Sequence, residues 1–196
     1  MTSARTWPAH ADDPQPPAGR SPGEPSPDLR RIFRSQAASV AIITATGAPG
    51  PVGFTATSLT SLSVEPPLVS FNVGRAASSW ATVVRAQHVG IHLLGPGQED
   101  LATRFARHGA DRFAPPTSWT TGPCGVPVLG GTPTWLVARI RHRWRTGDHT
   151  LLVARLEHLG ACAAELVPLL YHDGRFRVLA ASAHPVVNPP IPRAGF

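Results

Sequence analysis

Residues 54–72 read FTATSLTSLSVEPPLVSFN. Thr55, Thr57, Ser58, Thr60, Ser61 and Ser63 crowd the first half, the chain turns at Glu65-Pro66-Pro67, and Leu68-Val69-Ser70-Phe71 follows as an apolar run. Two readings of the hydroxyl run compete. It can be a polar-faced edge strand, because threonine is a good strand former. It can also be a cradle for an anion and a heterocycle, with hydroxyls and backbone N–H groups facing a phosphate and ring carbonyls.

Outward from this stretch the chain reads as strands joined by short turns. Residues 40–44 are a buried strand, 47–50 a turn and 52–58 the returning strand of a hairpin. Residues 68–73 form another strand. A helix is expected over 77–86, with Trp80, Val83 and Val84 on one face. Residues 88–94 alternate as a strand, and 99–108 form a helix with Leu101 and Phe105 inward. Residues 109–131 read as a long irregular excursion, a length that is uncommon inside a compact domain and often functional. Residues 135–145 alternate, with Leu136, Ala138, Ile140 and Trp144 on one face and Val137, Arg139, Arg141 and Arg143 on the other. Thr146-Gly147-Asp148 turns the chain into a partner strand at 149–159. Strands at 168–171 and 175–179 follow. Before all of these, Asp28 is placed to cap a short helix over 29–37. About seven strands against about three helices, without βαβ alternation, indicate a mainly β, antiparallel barrel with flanking helices.

The 196 residues suit one domain with a sizeable core. That domain is expected over 28–180. Residues 1–27 and 181–196 are Pro-rich and without apolar periodicity, so both are expected to be extended tails. No apolar run is long enough to span a bilayer, and the N-terminus has no secretory h-region, so a cytoplasmic protein without membrane contact is expected. All 18 basic residues are Arg, giving a formal charge of +6. They form no dense cluster, and nucleic-acid binding is not expected.

Cys124 and Cys162 are far apart and form no CxxC, so they read as ordinary thiols. The nine histidines form no HExxH and read as scattered over the surface. No metal site is expected. There is no GxSxG elbow, no GxGxxG and no P-loop.

The hydroxyl stretch with its P-P-L-V resembles the signature of the flavin reductase-like, FMN-binding split-barrel family. Further matches run in order along the chain. They include Phe33-Arg34, Val40 to Thr44, and Ser70-Phe71-Asn72-Val73 with Arg75 and Ser79. Leu101 to Ala106 with Asp111-Arg112-Phe113, Gly125-Val126-Pro127-Val128-Leu129, and Trp135-Leu136 continue the series. Gly147-Asp148-His149-Thr150 and Pro168 to Gly174 complete it.

The resemblance implies a split barrel that binds FMN or FAD noncovalently, normally as a homodimer. It also implies flavin reduction with NAD(P)H and supply of reduced flavin to a partner monooxygenase. On this chain it implies that Thr55, Ala56, Thr57, Ser58, Leu59, Thr60 and Ser61 line the flavin, with Asn72 also in the cofactor site. Arg75 and Ser79 would lie near the phosphate, and Phe105, Arg112 and Phe113 would close over the flavin. Asp148 and His149 would form the nicotinamide pocket, with His149 as the catalytic residue. The family's usual Asn, Ser and Asp are here Thr57, Ala77 and Gly74. Two other functions share this cradle: a flavin-binding protein without reductase turnover, and an enzyme that uses its bound flavin directly on an organic substrate.

Overall fold

The computed structural model describes residues 29–48, 50–162 and 167–179. In chain order the elements are α1 (Leu29–Arg34), β1 (Ala38–Ser39), β2 (Ala41–Gly47), β3 (Gly50–Ala56), β4 (Thr60–Ser63), β5 (Leu68–Gly74), α2 (Trp80–Val83), β6 (His88–Leu93) and α3 (Glu99–Ala106). They continue as β7 (Trp119–Thr121), a 3-10 turn (Pro123–Gly125), β8 (Pro127–Leu129), β9 (Thr134–Thr146), β10 (His149–Cys162), β11 (Leu169–His172) and β12 (Arg175–Val178).

Seven strands form one antiparallel sheet in the order β3-β2-β6-β9-β10-β5-β4. The sheet curls onto itself. β3 and β5 are far apart in that order, yet Phe54 of β3 and Phe71 of β5 bring their rings to 6.5 Å. Ile43, Ala56, Val73, Ile91, Ala138 and Leu152 fill the same core from further along the sheet. The curl leaves a seam between β3 and β5 that side chains bridge and no ladder closes, which is the split of the barrel. A second core lies outside the sheet, where Ala102 and Phe105 of α3 pack with Val40, Ile42, Leu129 and Leu169. Burying a side chain of this size contributes roughly 1.5–3 kcal/mol.

The structure corrects the sequence reading at several places. α1 stops at Arg34. α2 holds only four residues, because the backbone N–H groups of Ala77 and Trp80 bond three residues back as turns. The β-branched Thr82, Val83 and Val84 also lower helix propensity at its far end. Arg143 caps its far end, donating to the Val84 and Ala86 carbonyls at 2.7 and 2.6 Å. Residues 109–131 are not irregular throughout, since β7 and β8 pair as a small antiparallel sheet. Its strands are three residues each, too short to show periodicity. That sheet covers Val137, which packs with Val126 and Val128 instead of sharing an exposed face with the arginines. Twelve strands stand among the described residues where about seven were expected, because β1, β4, β7 and β8 are short. His92 is fully buried, so the histidines are not all at the surface.

Candidate active site

The seam opens into a cavity of about 590 Å³. The end of β3 supplies one wall, through Phe54, Thr55, Ala56, Thr57 and Ser58. Asn72 and Gly74 of β5 supply the facing wall, and Phe105 with Ala106 closes one side from the end of α3. Gly53 explains how α3 comes so close. A Cβ there would lie 2.7 Å from the Phe105 ring and 2.9 Å from the Ile43 carbonyl.

The polar groups of the β3 wall have divided duties. Thr55 donates its hydroxyl to the Ala102 carbonyl at 2.6 Å, which ties β3 to α3. Ser58 Oγ accepts from the Asn72 N–H at 2.9 Å, which holds the two walls of the seam together and keeps its own proton for another acceptor. The Thr57 hydroxyl and the Asn72 amide make no hydrogen bond among the described residues, and both are exposed.

Arg112 forms the cationic corner. Its guanidinium donates to the Phe105 carbonyl at 3.1 Å, the Arg107 carbonyl at 2.8 Å and Ser78 Oγ at 3.1 Å. Three of its five N–H donors are thereby used, which fixes the fork at the end of α3 and leaves two donors for an anion. Partial burial draws its pKa below the ordinary arginine value without neutralising it.

His149 stands across from this corner, at the first position of β10 opposite Gly74. A Cβ on Gly74 would lie 3.6 Å from His149 Nε2, so the ring covers that glycine. Asp148 Oδ1 lies 2.7 Å from His149 Nδ1. In the neutral ring this fixes the proton on Nδ1 and leaves Nε2 as an acceptor. The Asp148 carbonyl accepts from the Arg75 N–H at 2.9 Å, so the turn that carries His149 is bound to the turn after β5.

A second, smaller cavity of about 310 Å³ adjoins the first and shares Ser78 and Arg112 with it. Ser79 and Phe113 line this one. Ser79 Oγ is buried and makes no hydrogen bond, an unmet polar atom beside a cavity. The Phe113 ring meets Phe105 edge-on at 5.3 Å and Trp119 at 5.5 Å, a row of aromatics that braces the wall.

Of the expected residues, Thr55, Ala56, Thr57, Ser58, Asn72, Phe105, Arg112 and His149 meet around the larger cavity. Leu59 packs against the main core, and Thr60 and Ser61 lie exposed on β4 outside the cavity. The Arg75 side chain is exposed and lines neither cavity. Phe105 is fully buried and forms a wall, not a mobile cover. Ser78, His108 and Thr146 also line the larger cavity, and sequence reading did not name them. Thr146 immediately precedes the Gly147-Asp148-His149 turn, a position that proximity to the motif could have flagged.

Comparison with known proteins decides the relationship. The flavin reductase like domain matches residues 33–180. The chain belongs to that family. An NADH:FMN oxidoreductase of Rhodococcus qingshengii is 42% identical over 152 residues, covering 76% of this chain and 79% of its own. The reductase subunit of a flavin-dependent monooxygenase from Rhodococcus jostii (strain RHA1) is 31% identical over 148 residues, 76% of this chain and 75% of its own. The NADH:FAD oxidoreductase of Streptomyces globisporus C-1027, solved with NAD and FAD fragments, superposes with a TM-score of 0.73. It has 32% identity and covers 80% of this chain and 93% of that one. Among the described residues no helix is long and apolar enough to cross a membrane.

Proposed function

We propose that this flavin reductase-like chain oxidises NAD(P)H to reduce FMN or FAD and supplies the reduced flavin to a partner flavin-dependent monooxygenase. The names of its relatives support the reaction and the partner class. The observation that carries the proposal is the cavity at the seam. Its volume falls within the range of about 300–1,000 Å³ usual for small-ligand sites. It joins an aromatic wall, uncommitted hydroxyl and amide groups at Thr57, Ser58 and Asn72, and a guanidinium with two unused donors. Those groups fit a flat heterocycle rimmed with carbonyls and carrying a phosphate.

Bound flavin would supply the hydride acceptor, and that chemistry is the cofactor's own. The chain's task is placement, since reacting atoms must come within about 3–3.5 Å of each other. Thr57, Ser58 and Asn72 orient the ring through hydrogen bonds. Arg112 holds negative charge while its own fork is kept rigid by the carbonyls of α3. His149, oriented by Asp148, offers Nε2 on the nicotinamide side of the cavity. No side chain has to gain or lose a proton for hydride to pass.

The proposal extends to a homodimer, a cytoplasmic location and a single catalytic domain over 28–180. The Pro-rich segments 1–27 and 181–196 lie outside the described residues. The deciding experiment is steady-state oxidation of NADH and NADPH with FMN, FAD or riboflavin added. Turnover with any flavin supports the reading. Flavin binding without turnover favours the non-reductase alternative, and no binding overturns both.

A further inference from the structure

Folding gathers a second set of reactive side chains away from the seam. His88 opens β6, Cys124 sits in the 3-10 turn between β7 and β8, and Glu157 and His158 lie late on β10. They come from three segments more than thirty residues apart in sequence, so no spacing motif marks them. One donor atom from each of His88, Cys124 and Glu157 lies within 4.8 Å of the other two. His88 Nε2 is 3.0 Å from Glu157 Oε2, and Cys124 Sγ is 3.8 Å from His158 Nε2.

The backbone is shaped to make this convergence. Glu157 and His158 are neighbours, and on a regular strand they would point to opposite faces. The β9–β10 ladder shifts register between Leu156 and His158, leaving Glu157 as the extra residue of a bulge. A bulge re-aims side chains, and here Glu157 reaches His88 while His158 reaches Cys124. Cys124 has φ of 56°, a left-handed conformation that non-glycine residues seldom adopt. Its turn is held on both sides. The Gly122 N–H donates to the Val126 carbonyl at 2.8 Å, and the Thr46 hydroxyl donates to the Gly125 carbonyl at 2.8 Å.

We propose that His88, Cys124, Glu157 and His158 form a binding site for zinc or a zinc-like divalent cation. The donor set, one sulfur, two imidazoles and one carboxylate, suits borderline metals and not calcium or magnesium, which take oxygen. Zinc–ligand bonds of about 2.0–2.3 Å in a tetrahedron separate neighbouring donors by roughly 3.3–3.6 Å. The observed 3.0 Å for His88–Glu157 and 3.8 Å for Cys124–His158 lie on either side of that range. His88, Cys124 and Glu157 already converge, and the His158 ring, which touches Cys124, has to swing inward to complete the tetrahedron. The competing explanation is a His88–Glu157 ion pair with a bystander thiol. Their side chains are 19% and 30% exposed, which leaves the cluster open to an incoming ion.

Glu157 lies eight residues along β10 from His149, about 26 Å at strand rise. The bound ion would therefore tie the β7–β8 sheet to β6 and β10 without touching the seam. It would act on stability, not on flavin chemistry.

The test uses the full-length, tag-free protein, reduced and stripped with chelator. Co²⁺ is titrated while absorbance is followed, and Zn²⁺ is then added in competition. The expected result is one Co²⁺ per chain with a thiolate-to-cobalt charge-transfer band, displaced by Zn²⁺, and a melting temperature that rises with Zn²⁺. Cys124→Ser should abolish the band, and Glu157→Gln or His158→Asn should weaken Zn²⁺ binding at least tenfold. Circular dichroism establishes that each variant is folded. If Cys124→Ser fails to fold, the Glu157→Gln and His158→Asn titrations decide by the same criterion. The absence of a thiolate band in folded wild-type protein overturns the proposal, as does Zn²⁺ affinity unchanged by these substitutions.

Discussion

Acidification should weaken this protein through His92, which is fully buried on β6. Its Nδ1 lies 3.2 Å from the Ile42 carbonyl oxygen, and its Nε2 accepts from the Leu129 N–H at 3.0 Å. A carbonyl only accepts and an amide N–H only donates, so the ring is neutral with its proton on Nδ1. A second proton would set Nε2–H against the Leu129 N–H. Burial lowers the pKa from 6.5 to about 4, with the Ile42 carbonyl pulling weakly the other way. The unfolded chain therefore binds a proton near pH 6.5 that the folded chain refuses until about pH 4. Stability is full above that window, falls as pH drops through it, and levels off below. At about 1.36 kcal/mol per pKa unit the whole loss is about 3 kcal/mol, of which roughly 2 falls between about pH 7 and about pH 5. For a domain whose total stability is about 5–15 kcal/mol that is a large share. Urea unfolding of wild type and His92→Gln at the two pH values measures it. With a urea m-value of about 2 kcal/mol/M, the wild-type midpoint should drop by about 1 M more than the variant's. The variant starts lower at neutral pH, by about 1–3 kcal/mol, because a buried partner of the ring is left unpaired. Equal midpoint drops in the two proteins would refute the assignment of the acid sensitivity to His92.

Three substitutions probe the seam. Arg112→Ala should raise the flavin Kd at least tenfold in a fluorescence titration, since a hydrogen bond to a charged group is worth about 1.5–3 kcal/mol; an unchanged Kd would remove Arg112 from the flavin site. His149→Ala should raise the KM for NAD(P)H or lower kcat, by up to about 100-fold for a donor displaced by an ångström, while flavin Kd holds. Loss of flavin with intact nicotinamide kinetics per bound flavin would place His149 on the wrong side of the cavity. Gly53→Ala should cost about 1–3 kcal/mol in urea unfolding, because the new methyl meets both the Phe105 ring and the rigid Ile43 carbonyl; a neutral result would mean that α3 shifts freely.

The β architecture was legible because strand signals are local. Alternation in β9, the turn at Gly147-Asp148 and the apolar run of β2 are each visible in a few residues. What failed were elements whose existence depends on a distant neighbour. Val137 alternates onto the arginine side, yet it is buried by Val126 and Val128, which a strand-by-strand reading cannot know. The spacing of Trp80, Val83 and Val84 suits a ten-residue helix, but α2 is much shorter. Those residues are held instead by tertiary bonds, among them Trp80 Nε1 donating to Thr150 Oγ1 at 3.0 Å.

The candidate site divides along the same line. Residues inside one contiguous motif, such as Thr55 to Ser58, reached the cavity because a strand end moves as a unit. The motif overshot at Thr60 and Ser61, since the chain leaves the seam to form β4. Arg112 and Arg75 show why residue type alone does not assign a role. Both are arginines within family-like motifs, but two hydrogen bonds to the end of α3 and one to Ser78 anchor Arg112, while the Arg75 guanidinium has no partner among the described residues. A preorganised fork holds an anion at little further entropic cost, whereas a free side chain must first be ordered, at up to about 2 kcal/mol. In the proposed function the cationic role therefore falls on Arg112. Arg75 contributes through its backbone, whose N–H holds the Asp148 carbonyl and so positions the turn that carries His149.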